Sequence, residues 1–110
     1  MLRRLGARRI DAVLPFARYH IEGASMAPSI ARGDRVVASR ANYWVFVPKP
    51  GDVVVVRDPR VPDRYLIKRI ERIEDGRYTL LGDNAGESTD SRVFGDVPRD
   101  LIVGKVLFRY

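Results

Sequence analysis

Ser25 and Lys68 are the side chains of this sequence whose type and setting suit nucleophilic chemistry. Lys68 is one of only three lysines beside seventeen arginines, and it sits in an apolar run from Tyr65 to Ile73. If that run is a strand, its period of two puts Leu66 and Ile70 on the same face as Lys68. A charged ammonium is costly on such a face, so burial is expected to pull the pKa down from about 10.4. At the unshifted value only roughly one lysine in 2,500 is neutral at pH 7, too few for an efficient base. Arginine stays protonated and could not take the role. An edge-strand lysine reaching out to solvent carries the same local pattern.

Ser25 lies in Ile21-Glu22-Gly23-Ala24-Ser25-Met26-Ala27-Pro28, after a short apolar–polar run. Gly23 and Ala24 are small enough to let a peptide backbone come close, and Pro28 fixes its own φ and pins the turn. A lone hydroxyl is a weak nucleophile and needs an adjacent base. By itself Ser25 also reads as a helix cap or a turn serine. The only histidine, His20, is five residues upstream through a strand-like link that aims it away from Ser25 more readily than toward it. A Ser-Lys dyad is therefore the simpler pairing.

A third polar segment runs from Gly82 to Asp96 and is too long for an ordinary hairpin turn. Loops of that length inside compact domains are usually functional or mobile. Its carboxylates do not read as a glycosidase pair, since nothing sets two of them across a sugar groove. The spacing and terminal Glu of a calcium loop are absent, as are phosphate-cradle and dinucleotide fingerprints. Asp90 and Arg92 read as an ion pair tying the loop down, and Gly82 as a position of close backbone approach.

These segments need strands to position them. The runs 35–38, 53–56, 65–73, 78–81 and 101–108 are rich in β-branched and aromatic residues. Gly33-Asp34, Pro50-Gly51-Asp52 and Asp75-Gly76 mark turns between them. With no long 3.6-residue period after the first 18 residues, the pattern predicts one mainly β domain. The 110 residues suffice for one modest core and leave no room for a separate recognition domain. Without cysteine, disulfides are impossible, and one histidine makes a structural zinc site a poor reading, so neither metal nor cofactor is expected.

Charge is concentrated at the front, where residues 1–18 carry +4 of the net +6. This basic, amphipathic head is read as a partly helical arm (1–18) packed on a domain spanning 19–110. Its interspersed Leu2, Leu5, Val13, Leu14 and Phe16 also suit peripheral contact with an anionic membrane. No apolar run approaches the roughly 20 residues a spanning helix requires. The head's apolar stretch is broken at Asp11, Pro15 and Arg18, so it is read as retained rather than as a cleaved signal. The expected location is cytoplasmic or peripheral on a membrane.

Taken together and in order, three blocks resemble the signal peptidase I family of serine proteases. They are Ser25-Met26-Ala27-Pro28, then Lys68-Arg69 behind Gly51-Asp52-Val53-Val54, then Gly82-Asp83-Asn84 with Ser88-Thr89-Asp90-Ser91-Arg92. The resemblance covers about residues 19–108. It implies a small β-barrel or coiled-sheet core, like that of repressor-type proteases, with Ser25 as nucleophile and Lys68 as general base. It further implies that Ser88 orients Lys68, that the Ser25 N–H stabilises the oxyanion, and that Asp90 and Arg92 are structural. The second oxyanion donor of some members falls at Gly23 and stays unassigned. Substrates would carry small residues at P1 and P3, in a narrow cleft by Gly23, Ala24, Met26 and Pro28. The compact form looks like the small soluble branch that matures nickel-type superoxide dismutase, in which case nickel belongs to the substrate precursor.

Two rival readings make different demands. A self-cleaving repressor-type protease also uses Ser and Lys, but 24 residues before Ser25 are too few for a helix-turn-helix domain. A non-enzymatic basic β-barrel could bind single-stranded nucleic acid through arginines and the Tyr43, Trp44 and Phe46 cluster. Nucleic acid is the weaker expectation for a partner, and strongly salt-dependent oligonucleotide binding insensitive to Ser25→Ala would favour it.

Overall fold

The computed structural model describes residues 6–41 and 47–110, so Tyr43, Trp44 and Phe46 lie outside the described residues. Among the described residues eight strands form one antiparallel sheet: β1 (Ala7–Val13), β2 (Phe16–Ile21), β3 (Arg35–Ser39), β4 (Val53–Arg57), β5 (Tyr65–Glu74), β6 (Arg77–Leu81), β7 (Val97–Pro98) and β8 (Ile102–Arg109). Their spatial order is β1-β2-β3-β8-β4-β5-β6-β7, and one ladder pair, Ala7 with Tyr65, brings β1 back to β5. Six strands thus curl into a partial ring, and β6 and β7 extend beyond it. A short helix, α1 (Ser91–Phe94), and 3-10 turns at Ala85–Glu87 and Arg99–Leu101 complete the described elements. The chain is mainly β, and each apolar run read from the sequence lies on a strand apart from Leu101, which ends the second 3-10 turn.

The centre of the fold is the β4–β5 ribbon, which is buried on both faces. This explains why Val53-Val54-Val55-Val56 lacks the alternation of a half-exposed strand. Val55 and Ile67 point into the ring against Tyr19, Ile21, Met26, Val36 and Ala38. Val54, Val56, Leu66 and Ile70 pack on the other side against Tyr78, Leu80, Val97 and Ile102. Lys68 pairs with Val54 in the ladder and stands between Leu66 and Ile70 on this second face. Each buried aliphatic side chain contributes roughly 1.5–3 kcal/mol, so Lys68 projects from the least yielding part of the molecule.

The head departs from the sequence reading. Residues 7–13 and 16–21 are the strands β1 and β2 rather than a partly helical arm, and the expected boundary after Arg18 falls inside β2. Only Ala7 of β1 is buried, and a register shift between Arg9 and Asp11 breaks its alternation. No periodic apolar signal was available to reveal it. Gly6 makes the ring's closing contact possible: its φ is +74°, and its carbonyl accepts the Glu22 and Gly23 N–H groups. A Cβ there would sit 2.1 Å from the Tyr65 carbonyl oxygen. Only glycine lets the two backbones meet at that distance.

Candidate active site

Ser25 lies in the connection between β2 and β3. The next residue, Met26, is 2% exposed and packs in the ring core together with Ile30, whose N–H donates to the Met26 carbonyl at 2.9 Å. These anchors hold Ser25 at the rim of the ring. The Ser25 N–H has no acceptor among the described residues, whereas that of Gly23 is taken by Gly6.

Lys68 Nζ donates to Ser25 Oγ at 2.6 Å, and Lys68 is only 2% exposed. Burial pulls its pKa down to about 8. The Asp90 and Asp58 carboxylates oppose that shift, while the Arg60 and Arg92 guanidiniums reinforce it. Roughly one lysine in ten is then neutral at pH 7, about 250-fold more than for a solvated amine. His20 is elsewhere on β2, paired in the sheet with Arg8 and Arg35, and its Nδ1 has no partner among the described residues.

The polar segment after β6 wraps around Ser25. The Asn84 N–H donates to the Ser25 carbonyl at 2.7 Å, and Asn84 Nδ2 to the Ala24 carbonyl at 3.2 Å. Asp83 receives two bonds from Arg69, Nε at 2.9 Å and Nη2 at 2.8 Å, and a third from Ser29 Oγ at 3.0 Å. The Arg69 guanidinium and burial act oppositely on Asp83, and the guanidinium prevails, holding the carboxyl below its ordinary value. Adjacent residues of β5 thus do separate work: Lys68 meets Ser25, and Arg69 secures the loop that holds Ser25 in place.

Asp90 caps α1 and is fully buried. It accepts from the Gly82 N–H at 2.9 Å, from Ser88 Oγ at 2.6 Å, and from the Arg92 N–H and Nε at 3.1 and 2.9 Å. Burial alone would raise its pKa, but the bonds from Arg92, Gly82 and Ser88 outweigh it and hold the carboxyl well below the usual range. Ser88 spends its one hydrogen on Asp90, and its hydroxyl makes no hydrogen bond with Lys68 among the described residues, where Lys68 Nζ is bonded to Ser25. Gly82 leaves no space for a side chain. A Cβ there would lie 2.2 Å from Ser88 Oγ and 2.7 Å from the Ser25 carbonyl oxygen.

The cleft at the Ser25–Lys68 pair is lined by Gly23 and Ala24, with Gly6, Leu66, Arg60 and Arg64 among its other walls. Two residues expected there are not: Met26 faces the core, and Pro28 is exposed on its turn. A methionine in a short polar loop can turn either way, and here the ring core takes it. Arg60, Arg64, Asp58 and Ser29 carry contacts that the sequence reading did not single out, and Arg69 entered it only as the second residue of the Lys68-Arg69 pair. For Asp58 and Arg60 a signal existed, since Asp58-Pro59-Arg60 has the same spacing as Asp90-Ser91-Arg92. Among the described residues no cluster of His, Asp or Glu could hold a metal ion.

Comparison with known proteins bears on what this arrangement serves. The profile of the family described as signal peptidase, peptidase S26, matches residues 9–71 and 70–110. Mitochondrial ATP-independent inner membrane protease subunit 1a of Arabidopsis thaliana is 37% identical over 113 residues, covering 82% of this chain and 67% of the relative. Human mitochondrial inner membrane protease subunit 1 is 30% identical over 107 residues, covering 79% and 64%. Signal peptidase I of Bacillus caldolyticus is 27% identical over 144 residues, covering 86% and 79%. The chain therefore spans about two thirds of the length of the mitochondrial relatives. With its three motif blocks on one small β core, the chain belongs to the signal peptidase family, peptidase S26, a family of serine endopeptidases.

Proposed function

We propose that Ser25 and Lys68 form the catalytic dyad of a peptidase that removes an N-terminal segment from a protein substrate. The observation that carries this reading is the 2.6 Å contact between Nζ and Oγ at a lysine only 2% exposed. In its neutral form Lys68 accepts the Oγ proton as Ser25 attacks the scissile carbonyl. The Ser25 N–H stabilises the oxyanion that develops. The Lys68 ammonium then gives its proton to the leaving amine, which departs and leaves an acyl-enzyme. Neutral again, Lys68 takes a proton from the water that attacks the acyl carbon, and its ammonium returns that proton to Ser25 Oγ as the bond to the acyl group breaks, which releases the acid and restores the dyad. Ser88, fixed by Asp90, accepts a hydrogen from the ammonium and orients it, while Asp90 and Arg92 shape the loop.

Gly23 and Ala24 on the cleft wall support a preference for small residues at P1 and P3. Within that class the nickel superoxide dismutase precursor is one substrate, and secretory signal peptides, in view of the relatives' names, are another. An internally quenched peptide with Ala at P1 and P3 tests the reading. Mass spectrometry is expected to find a single cut after the P1 alanine that Ser25→Ala abolishes. Undiminished cutting by Ser25→Ala would remove the nucleophile, and an intact peptide would remove the small-residue preference.

A peripheral membrane contact is part of the same reading. Val13, Leu14 and Phe16 at the β1–β2 turn are exposed, as is Val47. Among the described residues no helix is long and apolar enough to cross a membrane. Sedimentation with vesicles rich in anionic lipid is expected to carry the chain down, and Val13→Ser/Leu14→Ser/Phe16→Ser to leave it in solution. Equal sedimentation of both would place the contact elsewhere.

A further inference from the structure

Lys68 lies between two copies of one device. Asp58-Pro59-Arg60 in the β4–β5 connection and Asp90-Ser91-Arg92 at the start of α1 each fold an arginine back onto the aspartate two residues before it. In the first, the Arg60 N–H donates to Asp58 Oδ1 at 2.8 Å, Nε to Oδ1 at 3.1 Å, and Nη2 to Oδ2 at 3.0 Å. In the second, the Arg92 N–H, Nε and Nη2 reach the same oxygens of Asp90 in the same order. Both aspartate side chains are wholly buried. The clamps also touch, because the Arg60 guanidinium stacks over the ring of Phe94, the last residue of α1, at 5.4 Å. Stacking and clamp together fix Arg60 on the wall of the cleft that holds Ser25 and Lys68.

We propose that Arg60, held by Asp58 and Phe94, is a positioning residue whose fixed positive charge at the cleft wall helps keep Lys68 unprotonated. This inference rests on the dyad reading above. The charged groups facing Lys68 are Asp58, Arg60 and Arg64 from the β4–β5 connection, Glu87 from the 3-10 turn, and Asp90 and Arg92 at α1. Arg60 and Arg92 favour the neutral amine, while Asp58 and Asp90 favour the ammonium. Had Arg60 swung into solvent, the buried Asp58 would act on Lys68 offset only by Arg64, whose Nε stands 3.8 Å from Asp58 Oδ2. The clamp prevents that. It neutralises the carboxylate that the hairpin buries and sets the compensating cation where the base can sense it.

The chain has only three lysines, so 13C-lysine labelling gives three Cε signals, and Lys68 is assigned by its absence in Lys68→Met. The readout is the pH midpoint of that signal. Arg60→Gln is expected to move it up by about 0.5 pH, Asp58→Asn to move it down, and Arg60→Lys, which keeps the charge but loses the fork on Asp58 and the stacking on Phe94, to place it between Arg60→Gln and the parent. The Arg60→Gln shift is expected to shrink in 1 M salt, because the guanidinium is partly exposed. A purely structural clamp would lower the melting temperature without shifts of opposite sign. An unmoved midpoint in Arg60→Gln, or shifts of the same sign in both variants, overturns the proposal. Should Asp58→Asn fail to fold, the Arg60→Gln and Arg60→Lys pair decides alone. The readout needs no substrate, so it is independent of whether the probe peptide is cut.

Discussion

Lys68→Met is expected to lower kcat/KM at least about 10³-fold while making the protein more stable. The loss follows from removing the only group among the described residues that is hydrogen-bonded to Ser25 Oγ and can take its proton. Lys68→Arg should be equally inactive, since a guanidinium does not deprotonate in this range. The gain in stability has the opposite origin. In the folded chain the Lys68 pKa is about 8, against an ordinary 10.5. Between these values the unfolded chain holds a proton that the folded chain has released, so stability climbs with pH across that window. Below pH 8 the folded chain carries the full cost of a buried ammonium, and methionine removes it. Thermal unfolding at pH 6 to 7 should show Lys68→Met ahead by about 1–3 kcal/mol, with the gain fading toward pH 10.5. A variant less stable than its parent at pH 6 would mean that the lysine is not held against its solvation.

Gly82→Ala carries the second large effect. Its Cβ would meet the Ser88 side chain and the Ser25 carbonyl at once, and neither can move alone. Ser88 is tied to Asp90, and the Ser25 carbonyl is tied to the Asn84 N–H. The strain must therefore displace Ser25 or the loop, by an amount that costs about 10²-fold in kcat/KM and about 1–3 kcal/mol in stability. Gly86→Ala in the same loop has open space around it and should behave like the parent. Equal activities for the two variants on the probe peptide would show that Gly82 is not a close-packed joint.

The strands that position the site were legible because their apolar residues are buried. Val53 to Val56 and the run around Leu66 and Ile70 face two cores, and their composition announces it. β1 was illegible for the converse reason: six of its seven residues are exposed, so hydrogen bonding to β2 and the contact at Gly6 hold it without any apolar code. At the site, Ser25 and Lys68 stood out by type and setting, and their meeting across 43 residues is a product of the ring. Met26 was misplaced because sequence gives no direction to a side chain in a loop. The Asp58–Arg60 clamp was missed because its spacing becomes meaningful only once both aspartates are seen to be buried around one amine.

The pH dependence of kcat/KM for the unmodified protein on the probe peptide tests the central claim most directly, because it reads the proton on the base in the free enzyme. A neutral Lys68 poised beside Ser25 predicts a rise through a midpoint near 8, followed by a plateau. A profile already flat from pH 6 upward, or one that keeps rising toward the ordinary lysine value of 10.5, would contradict it.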